Sequence, residues 1–129
     1  MEIIKRAIAE GRKPDLQALV DAIPYCRFLG IEIDRKGNEL TTILRFDKKL
    51  IGNPVLPALH GGVVGAFLEV TAVIQLMLEA ESEDLPKPVD IGIDYLRSGR
   101  PVDAYARATI TKHGRRVCKA ANPQCASCS

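Results

Sequence analysis

The chain has 129 residues, 47% of them hydrophobic and 26% charged, with a formal net charge of +2 at pH 7. Such a chain forms one domain with a real core and needs no disulfide staples for size reasons. The near-neutral balance and the lack of a long basic run exclude nucleic acid as an expected partner. The start, Met1-Glu2-Ile3-Ile4-Lys5-Arg6, has an early acid and too short an apolar run for a signal peptide. A reducing, cytoplasmic compartment is therefore expected, with Cys26, Cys118, Cys125 and Cys128 as free thiols.

Residues 1–24 carry Ile3, Ile4, Ala7 and Ile8, then Leu16, Leu19 and Val20. Gly11 and Pro14 divide them into two short helical pieces, and Asp15 suits the first turn of the second. Residues 25–35 hold Tyr25, Phe28, Leu29, Ile31 and Ile33; residues 39–46 hold Leu40, Ile43, Leu44 and Phe46. Lys36-Gly37-Asn38 between them is a turn signal, which predicts a β-hairpin. Gly52, Asn53, Pro54 and Pro57 make 47–58 a loop.

From Gly61 or Gly62 to about Glu79 the text is apolar on all sides, with Val63, Val64, Phe67, Leu68, Val70, Val73, Ile74, Leu76, Met77 and Leu78. This predicts a long helix buried on every side. It is long enough to span a membrane, but Glu69, Gln75 and two glycines favour a core helix. Glu79, Glu81, Glu83 and Asp84 then read as a solvated loop. Residues 89–97 and 102–110 alternate apolar and polar, and predict two half-buried antiparallel strands joined by Ser98-Gly99-Arg100-Pro101. The order of hairpin, long helix and strands is an α+β architecture, an antiparallel sheet wrapped around one central helix.

The chemistry concentrates in Leu59-His60-Gly61-Gly62 and in Glu69, nine places after the histidine. Backbone N–H groups at a glycine-rich helix start can hold an oxyanion. A carboxylate within an apolar helix is costly without a function or a partner. Together they point to attack on a carbonyl. Nine residues make about two and a half helical turns, so Glu69 lies across the helix from its start. One helix cannot easily aim both groups at one atom, whereas two subunits can. The plainer readings are a Glu69 paired with an arginine such as Arg107, and glycines that serve only close packing. His60 reads as a residue that positions the loop rather than as a proton shuttle.

These residues, and the strand Val89-Asp90-Ile91-Gly92-Ile93-Asp94-Tyr95-Leu96-Arg97 with Ser98-Gly99 after it, resemble the hotdog-fold thioesterases, and among them the PaaI-like acyl-CoA thioesterases. The resemblance runs from about Phe28 to about Val117. It implies a single hotdog domain over 1–129, with 1–24 as an N-terminal helical segment. It implies a homodimer or dimer of dimers with an acyl-CoA thioester at the interface, no membrane partner, and no cofactor beyond the coenzyme A of the substrate. By that resemblance Gly61 or Gly62 polarises the thioester oxygen and Glu69 of the other subunit is general base or nucleophile. Asn53 resembles a loop asparagine that assists polarisation, and His60 completes the site. Arg97, Arg100 and Arg115 are candidates for the coenzyme A phosphates, although a solvated surface suits each of them equally.

The chain departs from the family in three places. Its acid is glutamate, where aspartate is commoner. Pro88 stands where some relatives carry a hydroxyl residue, and Thr71 replaces that hydroxyl only if it faces the site. The tail from Cys118 to Ser129 lacks alternation and contains Asn122-Pro123. It reads as a truncation or an altered frame, with the C-terminal strand or strands missing. Cys125-Ala126-Ser127-Cys128 has metal-ligand spacing, with Cys118 as a third thiol and His113 as the only nearby fourth ligand, but no strand or knuckle pattern frames them, so no metal site is expected. The rival to a thioesterase is a catalytically weak or inactive hotdog protein that binds acyl-CoA or only dimerises. A hydratase is disfavoured, because no Asp-x4-His pair follows the glycines.

Overall fold

A computed structural model of the chain describes residue 10 and residues 15–37, 39–81 and 84–112. Its first described elements are two short helices, α1 (Leu16–Ala22) and α2 (Pro24–Leu29), while the expected helical piece carrying Ile3, Ile4, Ala7 and Ile8 lies outside the described residues. Asp15 is the N-cap of α1, its carboxylate accepting from the N–H groups of Gln17 and Ala18. Pro24 stands in the first turn of α2, and Gly30 ends the helix with φ +70°, which a side chain would make costly. Tyr25, Phe28 and Leu29 are therefore helical, and the first strand begins only at Ile31. The proline start and glycine stop outweigh the apolar spacing that suggests a strand from residue 25.

Strands β1 (Ile31–Lys36) and β2 (Glu39–Leu44) form the predicted antiparallel hairpin, in register from Ile31 opposite Leu44 to Lys36 opposite Glu39. Gly37 turns it with φ +65°. Leu40, Thr42 and Leu44 alternate inward along β2. The outer edge of β1 is partly satisfied by one side chain. The Gln17 amide donates to Ile31 O at 3.1 Å and accepts from Ile33 N–H at 2.8 Å, standing in for a neighbouring strand.

The segment expected as a loop contains a 3-10 turn (Lys48–Leu50) and a small hairpin of β3 (Ile51–Asn53) and β4 (Ala58–Leu59). Helix α3 (Gly61–Ala80) then lies on the sheet through Phe67, Thr71 and Ile74. These meet Leu40, Leu44, Leu50 and Leu59 in a core that Leu16, Val20 and Cys26 close from the α1–α2 side. Burial pushes the Cys26 thiol above its ordinary pKa. Strand β5 (Ala104–Ala106) pairs with β2, giving the order β1-β2-β5. The Phe46 N–H and the Arg45 guanidinium hold Asp103, just before β5, below the usual carboxylate range.

The α+β class and the sheet-on-helix layout agree with the expectation. Three details differ. Helix α3 is not buried on every side, because Leu68 is 39% exposed and Ala72, one turn on, is also open to solvent. The strand expected over 102–110 is confined to Ala104–Ala106. Residues 89–97 run without a strand ladder among the described residues, and Val89 is fully exposed. Alternation gives a segment two faces, but a ladder also requires a neighbour for its backbone groups. The tail at 118–129, with its three cysteines, lies outside the described residues.

Candidate active site

The site begins with how His60 is held. Its own N–H donates to Leu50 O at 2.8 Å. Behind it stands Gly52, where a Cβ would lie only 2.9 Å from His60 Cδ2. The β3–β4 hairpin thus fixes the residue that precedes the helix. His60 is extended, at φ −60° and ψ 131°, and acts as the N-cap of α3. Its Nδ1 accepts the N–H of Gly62 at 2.9 Å, so the ring is neutral at that nitrogen and carries its proton on Nε2.

The first four N–H groups of a helix have no partner within it. Here the His60 N–H is bonded to Leu50 O and the Gly62 N–H to the imidazole, and the Val64 N–H begins the helical ladder on His60 O at 3.1 Å. The Gly61 and Val63 N–H groups meet no acceptor among the described residues. Of these two residues only Gly61 lines a cleft of about 700 Å3 between the first turns of α3 and the segment 93–99. Leu59, Val64, Leu68 and Tyr95 line the apolar part, and Arg97 stands at its wall. One backbone bond, Leu59 N–H to Gly99 O at 3.0 Å, ties the two walls together. An unpartnered donor at the positive end of a 20-residue helix, beside an apolar cleft, can polarise a carbonyl oxygen.

Glu69 lies farther along the same helix and is half-buried. Eight residues separate it from Gly61, about 12 Å along the axis, and it does not line the cleft. Among the described residues its carboxylate has no hydrogen bond or ion pair. The pairing with Arg107 does not form: that guanidinium donates to Thr41 Oγ1 at 2.9 Å and stands 4.0 Å from Glu39. Thr71 does not face the cleft either. Its hydroxyl donates to Phe67 O at 2.8 Å and lies 2.6 Å from Thr42 Oγ1, fully buried against β2. Glu69, two residues earlier, projects about 200° away from it and so away from the sheet.

The structure therefore places Gly61 and Arg97 on the cleft, with His60 and Gly62 beside Gly61 at the helix start but off the lining, and Asn53 and Glu69 outside it. Asn53 is exposed, and its Oδ1 accepts the Val55 N–H at 2.9 Å, holding the β3–β4 turn. Arg100 is exposed and outside the cleft lining, and Arg115 lies outside the described residues. Sequence reasoning missed Tyr95 as a site residue. Its hydroxyl donates to Gly61 O at 2.7 Å across 34 residues of chain, and only its place in an alternating segment hinted at it.

A sheet laid on one long helix, with a glycine-rich helix start opening on an apolar cleft, is the arrangement of the hotdog-fold thioesterases. The chain belongs to the thioesterase superfamily, whose family model matches residues 56–121, just over half its length. It is 29% identical to the medium/long-chain acyl-CoA thioesterase YigI of Escherichia coli strain K12, over 74% of this chain and 70% of that one. The YigI protein of Salmonella typhimurium is similar to the same extent. Among solved structures, a thioesterase-superfamily protein superposes with a TM-score of 0.67 at 22% identity, covering 78% of this chain and 75% of the other. A Shewanella oneidensis protein related to that superfamily gives 0.56 at 26%, covering 81% and 72%.

Proposed function

We propose that the protein is a cytoplasmic, PaaI-like acyl-CoA thioesterase that works as a homodimer or dimer of dimers. It hydrolyses R–CO–S–CoA with water to the free acid and CoA. The observation that carries this reading is the unpartnered Gly61 N–H at the mouth of the cleft. Of the two glycines, the geometry favours Gly61 as the oxyanion donor, since the Gly62 N–H is already bonded to His60. Such a donor lowers the barrier by about 3 kcal/mol when it meets charge that develops only in the transition state.

The carboxylate comes from a second copy. About 12 Å of helix stands between Gly61 and Glu69 in one chain, more than a glutamate side chain spans. A two-fold partner supplies its own Glu69 to this cleft and receives this one in return. There the carboxylate takes a proton from water as water attacks the carbonyl, or it attacks the carbonyl itself to form a mixed anhydride that water then opens to the free acid and Glu69. In either case the CoA thiolate departs and the oxyanion collapses. The apolar walls at Leu59, Val64 and Leu68 suit the acyl chain, and the likeness to YigI supports a medium or long one. Its place at the cleft wall supports Arg97 as the contact for a phosphate of coenzyme A.

The test is CoA release from short, phenylacetyl, medium and long acyl-CoAs, read without a thiol reagent because the protein has four cysteines of its own. Turnover by wild type and its loss in Glu69→Gln are expected. Equal and negligible turnover by both would leave only the rival, a hotdog protein that binds acyl-CoA or merely dimerises.

A further inference from the structure

The contact between Tyr95 and the start of α3 has a spacing that repeats. Gly61 and Gly65 are one turn apart on the same face of the helix, about 6 Å along its axis. Ile93 and Tyr95 are two apart in an extended segment, also between 6 and 7 Å by roughly 3.3 Å per residue. The two rows match. Ile93 sits over Gly65, where a Cβ would come within 2.8 Å of Ile93 Cδ1. Tyr95 sits over Gly61, where a Cβ would lie 3.5 Å from the ring carbons Cε1 and Cζ. The bare helix surface at Gly65 is what admits Ile93, and Tyr95 rests on Gly61 at ordinary contact distance.

Seating places the tyrosine hydroxyl 2.7 Å from Gly61 O, the carbonyl of the residue whose N–H is unpartnered. Two adjacent glycines make a helix start that is prone to fray, each costing about 1 kcal/mol against alanine. Three bonds from outside the helix ladder oppose this: His60 N–H to Leu50 O, Gly62 N–H to His60 Nδ1, and Tyr95 O–H to Gly61 O. The third is the one that comes from the opposite wall of the cleft. The ring remains 57% exposed and lines that cleft, so its position governs both the turn and the space in front of it.

We propose that Tyr95 is a positioning residue for the thioesterase reaction: seated on the Gly61–Gly65 face, it holds the first turn of α3 so that the Gly61 N–H points into the cleft. This rests on the thioesterase reading above. The substitution that isolates it is Tyr95→Phe, which keeps the seated ring and removes only the hydroxyl. The turnover number is expected to fall about tenfold, as small misplacements of a donor do, with KM within twofold of wild type. The melting temperature should hold. The Gly61 carbonyl 13C resonance should shift, and the Gly65 amide, whose helical acceptor is that carbonyl, should exchange faster. A lowered melting temperature with unchanged kcat would mean a structural role only and would overturn the proposal. So would an active wild type matched by Tyr95→Phe in kcat, with the Gly61 resonance unmoved; the thioesterase reading would then stand. A wild type that turns over no thioester brings down the reading and this proposal with it.

Discussion

The imidazole of His60 accepts the N–H of Gly62 at 2.9 Å, and that bond separates two glycines that are adjacent in sequence. One glycine N–H is committed to the cap, and its neighbour's has no acceptor among the described residues. Since Nδ1 is the acceptor, the ring's work at this helix start needs its neutral form, with the other nitrogen carrying the proton.

Gly61→Pro tests the unpartnered donor with little disturbance to the fold. Proline is well accommodated at the first helical position, and His60 already has the extended backbone that a residue before proline takes. The variant is expected to melt like wild type and to lose on the order of 10²–10³ in kcat. Gly61→Ala, which keeps the N–H and meets Tyr95 only at ordinary contact distance, is expected to stay within a few-fold of wild type. Steady-state kinetics and thermal melts of both variants are the check.

Replacing His60 separates capping from proton transfer. His60→Ala removes the acceptor and should cost about 1 kcal/mol. His60→Asn restores a side-chain acceptor suited to an N-cap. If the histidine is a cap, the asparagine variant recovers most of the stability and most of the turnover. Full stability with no turnover would show that the ring moves a proton.

The Thr42–Thr71 pair should matter for folding and not for turnover. Thr71 gives its one proton to Phe67 O, so Thr42 donates to Thr71 across the helix–sheet contact, with Ala106 O at 3.3 Å as a weaker alternative. Thr71→Val and Thr42→Val should each cost about 1–2 kcal/mol. The double variant should cost less than the two together, as expected for one shared bond. Denaturant titrations measure this, and kcat should remain within twofold of wild type because the pair lies on the sheet side of the helix.

Asp103 should make stability depend on acid. Folding lowers its pKa through the Phe46 N–H and then Arg45. Its contribution is therefore complete above its ordinary value of 3.8 and is lost as pH falls through the lower folded value. Asp103→Asn should be less stable than wild type at neutral pH, with the difference shrinking below about pH 4. Chemical denaturation at several pH values checks this, and a gap that stays constant would contradict it.

The parts of this fold that show in the sequence are those set by local chemistry. The helix from Gly61 to Ala80 is visible because a glycine pair opens a dense apolar run, and the β1–β2 hairpin because Gly37 marks its turn. Helix α2 carries its own signals, Pro24 and Gly30, but Tyr25, Phe28 and Leu29 fit a strand as well over so short a stretch. Residues 89–97 show the alternation of a strand, yet pairing belongs to two segments and cannot be read from one. At the site, His60, Gly61, Gly62 and Glu69 are adjacent or share one helix and so stand out together. Tyr95 reaches Gly61 only through the fold, and Thr71 turns to the sheet because of where β2 lies.

In the proposed enzyme each site is shared between two copies of the chain, and mixing two inactive variants puts that sharing to the test. Glu69→Gln and Gly61→Pro are each unfolded, mixed and refolded together, with CoA release measured before and after. In a two-fold dimer each mixed pair has one site with both defects and one site with neither. Random pairing therefore restores about a quarter of wild-type activity. Recovery to about that level is the predicted result. Mixed dimers that form, by native mass measurement, and yet remain as inactive as their parents would contradict the account.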